Sequence, residues 1–191
     1  MEQFRDIKEE IVNSFIAEFN VSGPKLTLDQ VTARIHISKK TIYKYFSSKR
    51  AIYDIILERT SSYIVEKQKE IQQDDSIDLK EKLYRILTIV TPYEEVLDTT
   101  RLAELKQAEP EFHEQLVDAY SVHWSVVSDL FNQAKAAGVL RDGVDPALLI
   151  QVVSGAMSSF LSGEFLKKSS YTYSQAVQDL AKLLLEGALA D

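Results

Sequence analysis

The chain has 191 residues, which suits one large domain or two small ones with a buried core. Hydrophobic residues make up 45% of it and charged residues 27%, a balance that excludes a disordered or collagen-like chain. There is no cysteine, so disulfides, thiolate metal sites and cysteine nucleophiles are excluded. No apolar run reaches about 20 residues, the length of a membrane span, and the charged start lacks the apolar core of a signal peptide. We therefore expect a cytoplasmic, mostly helical protein.

The charge is unevenly distributed along the chain. The net charge is −7, yet residues 1–60 hold 10 basic and 8 acidic residues (+2), whereas residues 61–191 hold 12 and 21 (−9). Residues 25–50 contain seven basic residues and one acidic residue. A local basic patch governs nucleic-acid affinity more than the charge of the whole chain does. Charge by itself is equally consistent with a solvated surface cluster.

Three amphipathic segments follow one another at the N-terminal end. Apolar residues spaced three and four apart predict a first helix that ends before Gly23 and Pro24. Thr27 and Gln30 form a capping-box pattern at the start of a second helix, and Ser38 is a candidate N-cap for a third. The predicted helices span about residues 3–19, 28–35 and 39–46.

The remainder of the chain also has helical periodicity. A long helix is predicted from Ser47 or Ser48 to about residue 72. Gly138 is typical of a helix end, and Asp145 followed by Pro146 is typical of a helix start. The further predicted helices span about residues 79–92, 93–107, 110–137, 146–166 and 174–189, which makes about nine helices and an all-α fold.

Two of the short helices have the spacing of a helix-turn-helix. They are joined by Ile35–Ile37, and a joint of three or four residues is typical of that motif. The second helix turns Ile42 and Phe46 inward, and a helix fits the major groove of B-DNA. Its lysine, threonine and tyrosine side chains are suited to phosphates and base edges. The candidate DNA-contacting residues on this helix are Lys39, Lys40, Thr41, Tyr43, Lys44 and Tyr45.

Residues 5–55 resemble the DNA-binding domain of the TetR family of transcriptional regulators. The resemblance rests on the N-terminal helix with its spaced phenylalanines, on Thr27–Val31 and on Ser38–Lys49, of which Thr41–Lys49 is the most specific part. It implies a DNA-binding regulator, in particular a repressor that a small-molecule effector releases from its operator. A regulator without such a ligand is the alternative.

The resemblance also implies a division into two domains. An N-terminal three-helix helix-turn-helix DNA-binding domain would occupy residues 1–48. A C-terminal six-helix ligand-binding and dimerisation domain would occupy residues 49–191 and begin with a long connecting helix at about 49–72. His36 and Lys40 stand where many family members have glycine, which leaves the pose of the recognition helix open; a surface turn residue is the favoured interpretation of His36.

Residue by residue, the resemblance implies two kinds of DNA contact. Phosphate contacts are implied for Thr27, Tyr43, Tyr45 and Lys49. Contacts in the groove are implied for Lys39, Lys40, Thr41 and Lys44.

A homodimer is expected, because one recognition helix reads only a few base pairs and two would read a palindromic operator on double-stranded DNA. The last two long helices carry small residues for close approach and an excess of apolar surface, which favours an interface over a monomer core. The candidate interface residues are Val152, Gly155, Ala156, Ser159, Gly163, Val177, Leu180, Leu184 and Leu185.

Aromatic and apolar residues of the C-terminal part are candidates for lining a ligand pocket, although such a stripe is more often core. His113 and His123 would supply polar groups, but they lie too far apart on one straight helix to share a metal. No metal and no cofactor are expected. The candidate pocket residues are Tyr93, Leu97, Leu102, Leu105, Phe112, His113, Leu116, Tyr120, His123, Trp124, Val127 and Met157.

Two further classes of protein compete with the regulator. An enzyme is disfavoured because the chain has no nucleotide-binding loop, no nucleophile elbow and no metal-spaced histidine pair. A helical interaction module that has lost DNA binding is disfavoured because the basic, tyrosine-bearing helix is intact.

Overall fold

The computed structural model describes residues 6–96, 98, 101–121 and 123–189, with the backbone alone at 95–96, 102–103, 120–121 and 164. Within these residues the chain forms twelve α-helices, a 3-10 turn at Gly23–Lys25 and no β-strand. No helix in this part is long and apolar enough to cross a membrane. The helices are α1 Ile7–Ser22, α2 Leu28–Ile35, α3 Lys39–Tyr45, α4 Lys49–Gln73, α5 Leu79–Leu87, α6 Pro92–Val96, α7 Leu102–Ala108, α8 Pro110–Ser121, α9 Trp124–Ala136, α10 Pro146–Leu161, α11 Glu164–Lys168 and α12 Tyr173–Ala188.

Helices α1 to α3 form a unit that we call the head. Asp6 caps α1 by accepting hydrogen bonds from two amides of its first turn, so the helix begins later than the predicted residue 3. It ends at Gly23, whose φ of 61° favours glycine. The buried hydroxyl of Ser14 donates to the carbonyl of Val31 at 3.1 Å and ties α1 to α2.

Helices α4 to α12 form a unit that we call the body. Ser48 caps α4 by accepting from the amide of Ala51, which selects the second of the two predicted starts. This 25-residue helix leaves the head and packs against α5 and α8. Helix α9 packs against α5 and α10, and α12 packs against α5, α6 and α10.

The buried apolar residues form two clusters, and the first of them joins the head to the body. Phe15 of α1 meets the ring of Tyr53 edge-on at 4.8 Å between centroids. The other side of Tyr53 contacts Phe112 of α8 at 4.6 Å. Such pairs add about 0.5–1.5 kcal/mol each to the burial of their area. The second cluster, centred on Phe131, lies wholly within the body.

Three of the predicted helices are each divided in two, which corrects the predicted count. The 93–107, 110–137 and 146–166 segments become α6 and α7, α8 and α9, and α10 and α11. The predicted 110–137 helix is interrupted at His123. The two helices on either side of it have different neighbours: α8 packs against α4 and α7, and α9 packs against α5 and α10. Both halves keep a helical period, so periodicity does not reveal the break.

Candidate functional site

Helix α3 is held at the surface of the head by a capped joint. His36 lies in the left-handed region (φ 56°, ψ 46°), where the resemblance leads one to expect glycine. A non-glycine residue there costs about 1 kcal/mol. The amide of Ile37 donates to the carbonyl of Thr32 at 3.1 Å, and Ser38 accepts from the amide of Thr41 at 3.1 Å. With these two hydrogen bonds the turn forms with histidine in the left-handed position, and His36 is exposed as expected.

The outer face of α3 is basic and aromatic. Ile42 and Phe46 are buried in the head and anchor the helix. Opposite them, the side chains of Tyr43 and Tyr45 are 55% and 46% exposed, and Lys40 and Lys44 are exposed as well. Helix α3 contains no acidic residue. An exposed face of ammonium and phenol groups is suited to a polyanion.

Three other predicted DNA-contacting residues are held by neighbours within the head. The ammonium of Lys39 lies 2.8 Å from the Asp29 carboxylate, and this hydrogen bond raises the pKa of Lys39. The Thr27 hydroxyl donates to the Gln30 side chain at 2.9 Å as part of the capping box. The Thr41 hydroxyl lies 2.9 Å from that of Ser38. These contacts orient the side chains at the edge of the α3 face.

Lys49, the first residue of α4, differs from the other predicted DNA-contacting residues because it pairs with Glu109, a distant residue of the body. Its ammonium donates to the carbonyl of Pro24 at 2.8 Å and lies 3.0 Å from the Glu109 carboxylate. It also stands 5.7 Å from the centroid of the Tyr53 ring. Burial, and then the charge of Glu109, raise the pKa of the Tyr53 hydroxyl.

Further polar contacts join the first part of α4 to the head and to other helices of the body, and we call this region the junction. Arg50 donates to the Gln115 side chain, and its guanidinium carbon lies 5.3 Å from the centroid of the Phe112 ring. Arg59 pairs with Glu9 and donates to the Tyr93 hydroxyl at 3.0 Å. Of these contacts, the ion pair of Arg59 with Glu9 joins the body to the head, in addition to the shared apolar cluster.

A small cavity of about 60 Å³ lies within the body. Four of the predicted pocket residues border it: His123, Trp124, Val127 and Met157. His123 is buried, its Nε2 has no hydrogen-bond partner in the part of the chain that the structure describes, and burial lowers its pKa. No charged carboxylate, lysine or arginine lines the cavity among the described residues.

Periodicity did not single out the remaining lining of the cavity, which comes from α4, α5, α12 and the second residue after α5. It consists of Ile64, Gln68, Ile86, Leu87, Ile89 and Tyr173. The buried Gln68 donates to the carbonyl of His123 at 3.3 Å. Its position four residues after Ile64, on the inward face of α4, is a signal that the sequence does carry. Burial, and then the Glu94 carboxylate, raise the pKa of Tyr173 well above its ordinary value.

Other predicted pocket residues lie away from this cavity. Tyr93, Leu105, Phe112 and Leu116 pack in or against the cluster shared with the head, and His113 is half-buried on α8. They follow the same helical period as the residues that line the cavity, but the break at His123 gives α8 other neighbours than α9 has. Leu97 and the side chains of Leu102 and Tyr120 lie outside the described residues.

An apolar face runs along α10 and α12. Its most exposed members are Leu148, Val152 and Leu183, at 63%, 45% and 75% exposure. They border a groove together with Leu180, Leu184 and Gly187. Of the other predicted interface residues, Gly155 and Ser159 are exposed on α10, and Ala156 is half-buried against the core.

Three predicted interface residues do not belong to this face. Val177 and Leu185 are buried in the core of the body, because α12 turns that side inward. Gly163 is buried, and its φ of 71° makes it the turn between α10 and α11. The exposed residues Leu148 and Leu183 take the place of these three on the surface.

Two family models match consecutive parts of the chain. The family described as "Bacterial regulatory proteins, tetR family" matches residues 16–55. The family described as "YsiA-like protein, C-terminal region" matches residues 56–187. The chain is 24% identical over 169 residues to YvaF of Bacillus subtilis (strain 168), an uncharacterised HTH-type transcriptional regulator, with 88% of each chain covered.

Solved structures share the fold over almost the whole chain. KstR2, a ketosteroid transcriptional regulator of Mycobacterium tuberculosis, has a TM-score of 0.70 at 16% identity, with 99% and 98% of the two chains covered. PfmR of Thermus thermophilus, a TetR-family regulator, also scores 0.70, at 21% identity and 93% and 97% coverage. FadR of Bacillus subtilis in complex with stearoyl-CoA scores 0.64, at 17% identity and 94% and 98% coverage.

Proposed function

The chain belongs to the TetR family of bacterial transcriptional regulators, and from this premise we propose that it is a homodimeric repressor released from its operator by a small molecule. The observation that carries the proposal is the outer face of α3, where Lys40, Tyr43, Lys44 and Tyr45 are exposed on a helix anchored by buried residues. Residues 1–48 are the DNA-binding domain, and residues 49–191 bind ligand and dimerise.

The proposed DNA contacts divide into two kinds. Tyr43, Tyr45, Thr27 and Lys49 hold phosphates, which fixes the register of α3 on the duplex. The groove is read by Lys39, Lys40, Thr41 and Lys44. Lysine binds guanine edges, and a threonine methyl packs against thymine.

The apolar face of α10 and α12 is the proposed dimer interface. Large apolar side chains such as Leu148 and Leu183 are costly to leave in water, and monomers rarely expose a contiguous apolar patch. An added Cβ at Gly155 or Gly187 would meet no atom within 4 Å, so these surfaces are open to a partner helix. Two helices from each subunit would form a four-helix bundle. The two α3 helices would then read half-sites about 34–36 Å apart.

The cavity beside His123 is the proposed effector site. Its volume of about 60 Å³ holds a few water molecules, whereas bound ligands of drug size need about 300–1,000 Å³. An effector must therefore widen the cavity, and this requirement couples binding to helix movement. FadR of Bacillus subtilis forms a complex with stearoyl-CoA, and an acyl chain suits the apolar lining of this cavity.

The chemistry of the lining defines the effector further. An uncharged, mostly apolar part enters the cavity, and its polar group bonds to Nε2 of His123. A charged part of the effector, such as a nucleotide, stays outside, since burial of an unpaired charge is strongly unfavourable.

The chain itself acts without enzymatic activity, in the cytoplasm where the DNA lies.

Selection of DNA by the purified protein tests the proposal. Sheared genomic fragments are bound, washed at moderate salt and sequenced, and the enriched sites are scored for two-fold symmetry. We expect palindromes with half-sites about one helical turn apart. Uniform recovery of all fragments, lost at modest salt, would contradict sequence-specific regulation and leave only electrostatic attraction.

A further inference from the structure

Lys49 is held by a carboxylate of the body in this conformation. Its ammonium lies 3.0 Å from Glu109 and donates to the Pro24 carbonyl at 2.8 Å. An ammonium has three donors, so these two contacts use most of its capacity. The side chains of Lys49 and Glu109 are 28% and 33% exposed, which leaves the pair only partly screened by water.

A DNA phosphate is an anion of the same kind as the Glu109 carboxylate. Lys49 stands at the start of α4, directly after the joint that follows α3, and so borders the proposed DNA surface. We propose that Glu109 competes with a DNA phosphate for Lys49, so that the body lowers DNA affinity through this one carboxylate. The inference rests on the proposed phosphate contact of Lys49.

Glu109 lies where movement of α8 could change its competition with DNA for Lys49. Glu109 is the residue between α7 and α8, and the other end of α8 leads to the break at His123 beside the cavity. Helix α8 has 12 residues, a length of about 18 Å. Arg50, next to Lys49, is bound to Gln115 and Phe112 of the same helix. Because Glu109 directly precedes α8, we expect a shift of this helix to displace Glu109 and change its distance from Lys49.

Titration of the 191-residue chain against a mixed-sequence duplex of about two helical turns tests the proposal, because phosphate contacts do not depend on sequence. The variants are Glu109→Gln, Lys49→Gln and the double variant. Glu109→Gln should bind about two- to fivefold more tightly, the range expected for one partly exposed ion pair. Lys49→Gln should bind more weakly and lower the salt slope by roughly one. In the Lys49→Gln background, Glu109→Gln should gain no more affinity than Glu111→Gln does, because only the general repulsion of DNA is then reduced.

Glu111→Gln is the matched control. Glu111 is an exposed carboxylate in the first turn of α8, two residues from Glu109. Removing its charge reduces general repulsion of DNA to a similar degree but leaves Lys49 bound to Glu109. The proposal predicts a smaller gain in affinity for Glu111→Gln than for Glu109→Gln. Partial unfolding cannot imitate the expected result, since it would weaken binding.

The outcomes separate this inference from the proposed function. Equal gains for the two glutamate variants would overturn the competition and leave DNA binding intact. So would a gain for Glu109→Gln in the Lys49→Gln background that exceeds the gain of Glu111→Gln. Unchanged affinity of Lys49→Gln would overturn it as well. If the parent chain binds no duplex at any salt concentration, the proposed function fails and this inference fails with it.

Discussion

The head and the body bring their functional residues together in different ways. In the head, one seven-residue helix carries most of the proposed DNA-contacting side chains, and its own cap at Ser38 and anchor at Ile42 orient them. In the body, the cavity takes residues from α4, α5, α9, α10 and α12, which are far apart in the sequence. A surface on one short helix follows from local rules, whereas a cavity exists only once several helices have packed. The junction is where the two kinds of site meet.

The largest effect on DNA affinity is expected from a substitution that disrupts the proposed dimer interface of the body. Leu183→Glu places a charge at the centre of the apolar face, where a second subunit would bury it. The dimer should dissociate, and the affinity for a palindromic site should fall by about a hundredfold or more, since one head then binds alone. Light scattering and DNA titration measure the two effects.

Val65→Glu is the control for this substitution. Val65 is also an exposed apolar residue, but it lies on α4 outside the apolar face. Its charge should leave the dimer intact. A dimeric Leu183→Glu variant would contradict the proposed interface.

The next largest effect is a loss of stability, expected when the contact between the head and the body is weakened. Phe112→Ala removes the ring that packs on Tyr53 and should lower the free energy of unfolding by about 3–5 kcal/mol. Amide exchange in α1 should also accelerate, because the cluster that Phe112 shares with the head is weakened. Val117→Ala, at an exposed position of the same helix, should change stability by less than about 0.5 kcal/mol. Equal losses for the two variants would argue against a joint core.

A smaller effect is expected on the face of α3. Tyr43→Phe removes only a hydroxyl, and a hydrogen bond to a charged group contributes about 1.5–3 kcal/mol. Affinity should therefore fall about tenfold or more, to a similar degree for all duplexes, as a phosphate contact requires. Tyr171→Phe changes an exposed tyrosine of the body and serves as control. Unchanged affinity of Tyr43→Phe would remove this residue from the proposed phosphate contacts.

The smallest effect is expected in the cavity. Trp124 is the only tryptophan in the chain and lines the cavity, so its fluorescence reports on occupancy there. Octanol should change this fluorescence at lower concentration than octanoate, because the cavity lining offers no charge to pair with a carboxylate. His123→Phe should weaken the response to octanol by removing Nε2. An equal response to both compounds would contradict an uncharged ligand.

The head was largely predictable because its signals are local. The capping pattern of Thr27 and Gln30 and the N-cap at Ser38 are both present as predicted. Periodicity correctly turned Ile42 and Phe46 inward. The association of Lys49 with Glu109 was beyond such reasoning, because 60 residues of chain separate the two and only the packing of α8 brings them together.

The body was predictable in kind but not in detail. Helical period identified apolar faces, yet it assigned Val177 to a surface that the fold buries and overlooked Leu148 and Leu183. A face wide enough to pack on two sides cannot be divided by period alone into core and interface. For a similar reason, periodicity did not predict the break at His123, because α8 and α9 on either side of it continue the same spacing of apolar residues.

The sequence by itself determined the all-α class, the helix-turn-helix and the basic, tyrosine-bearing face of α3, because caps, short-range spacing and side-chain chemistry act within a few residues. Tertiary structure alone decided which aromatic residues border the cavity, which leucines remain exposed on α10 and α12, and that Lys49 lies beside Glu109. These features depend on the positions of whole helices relative to one another, and packing against distant segments sets those positions.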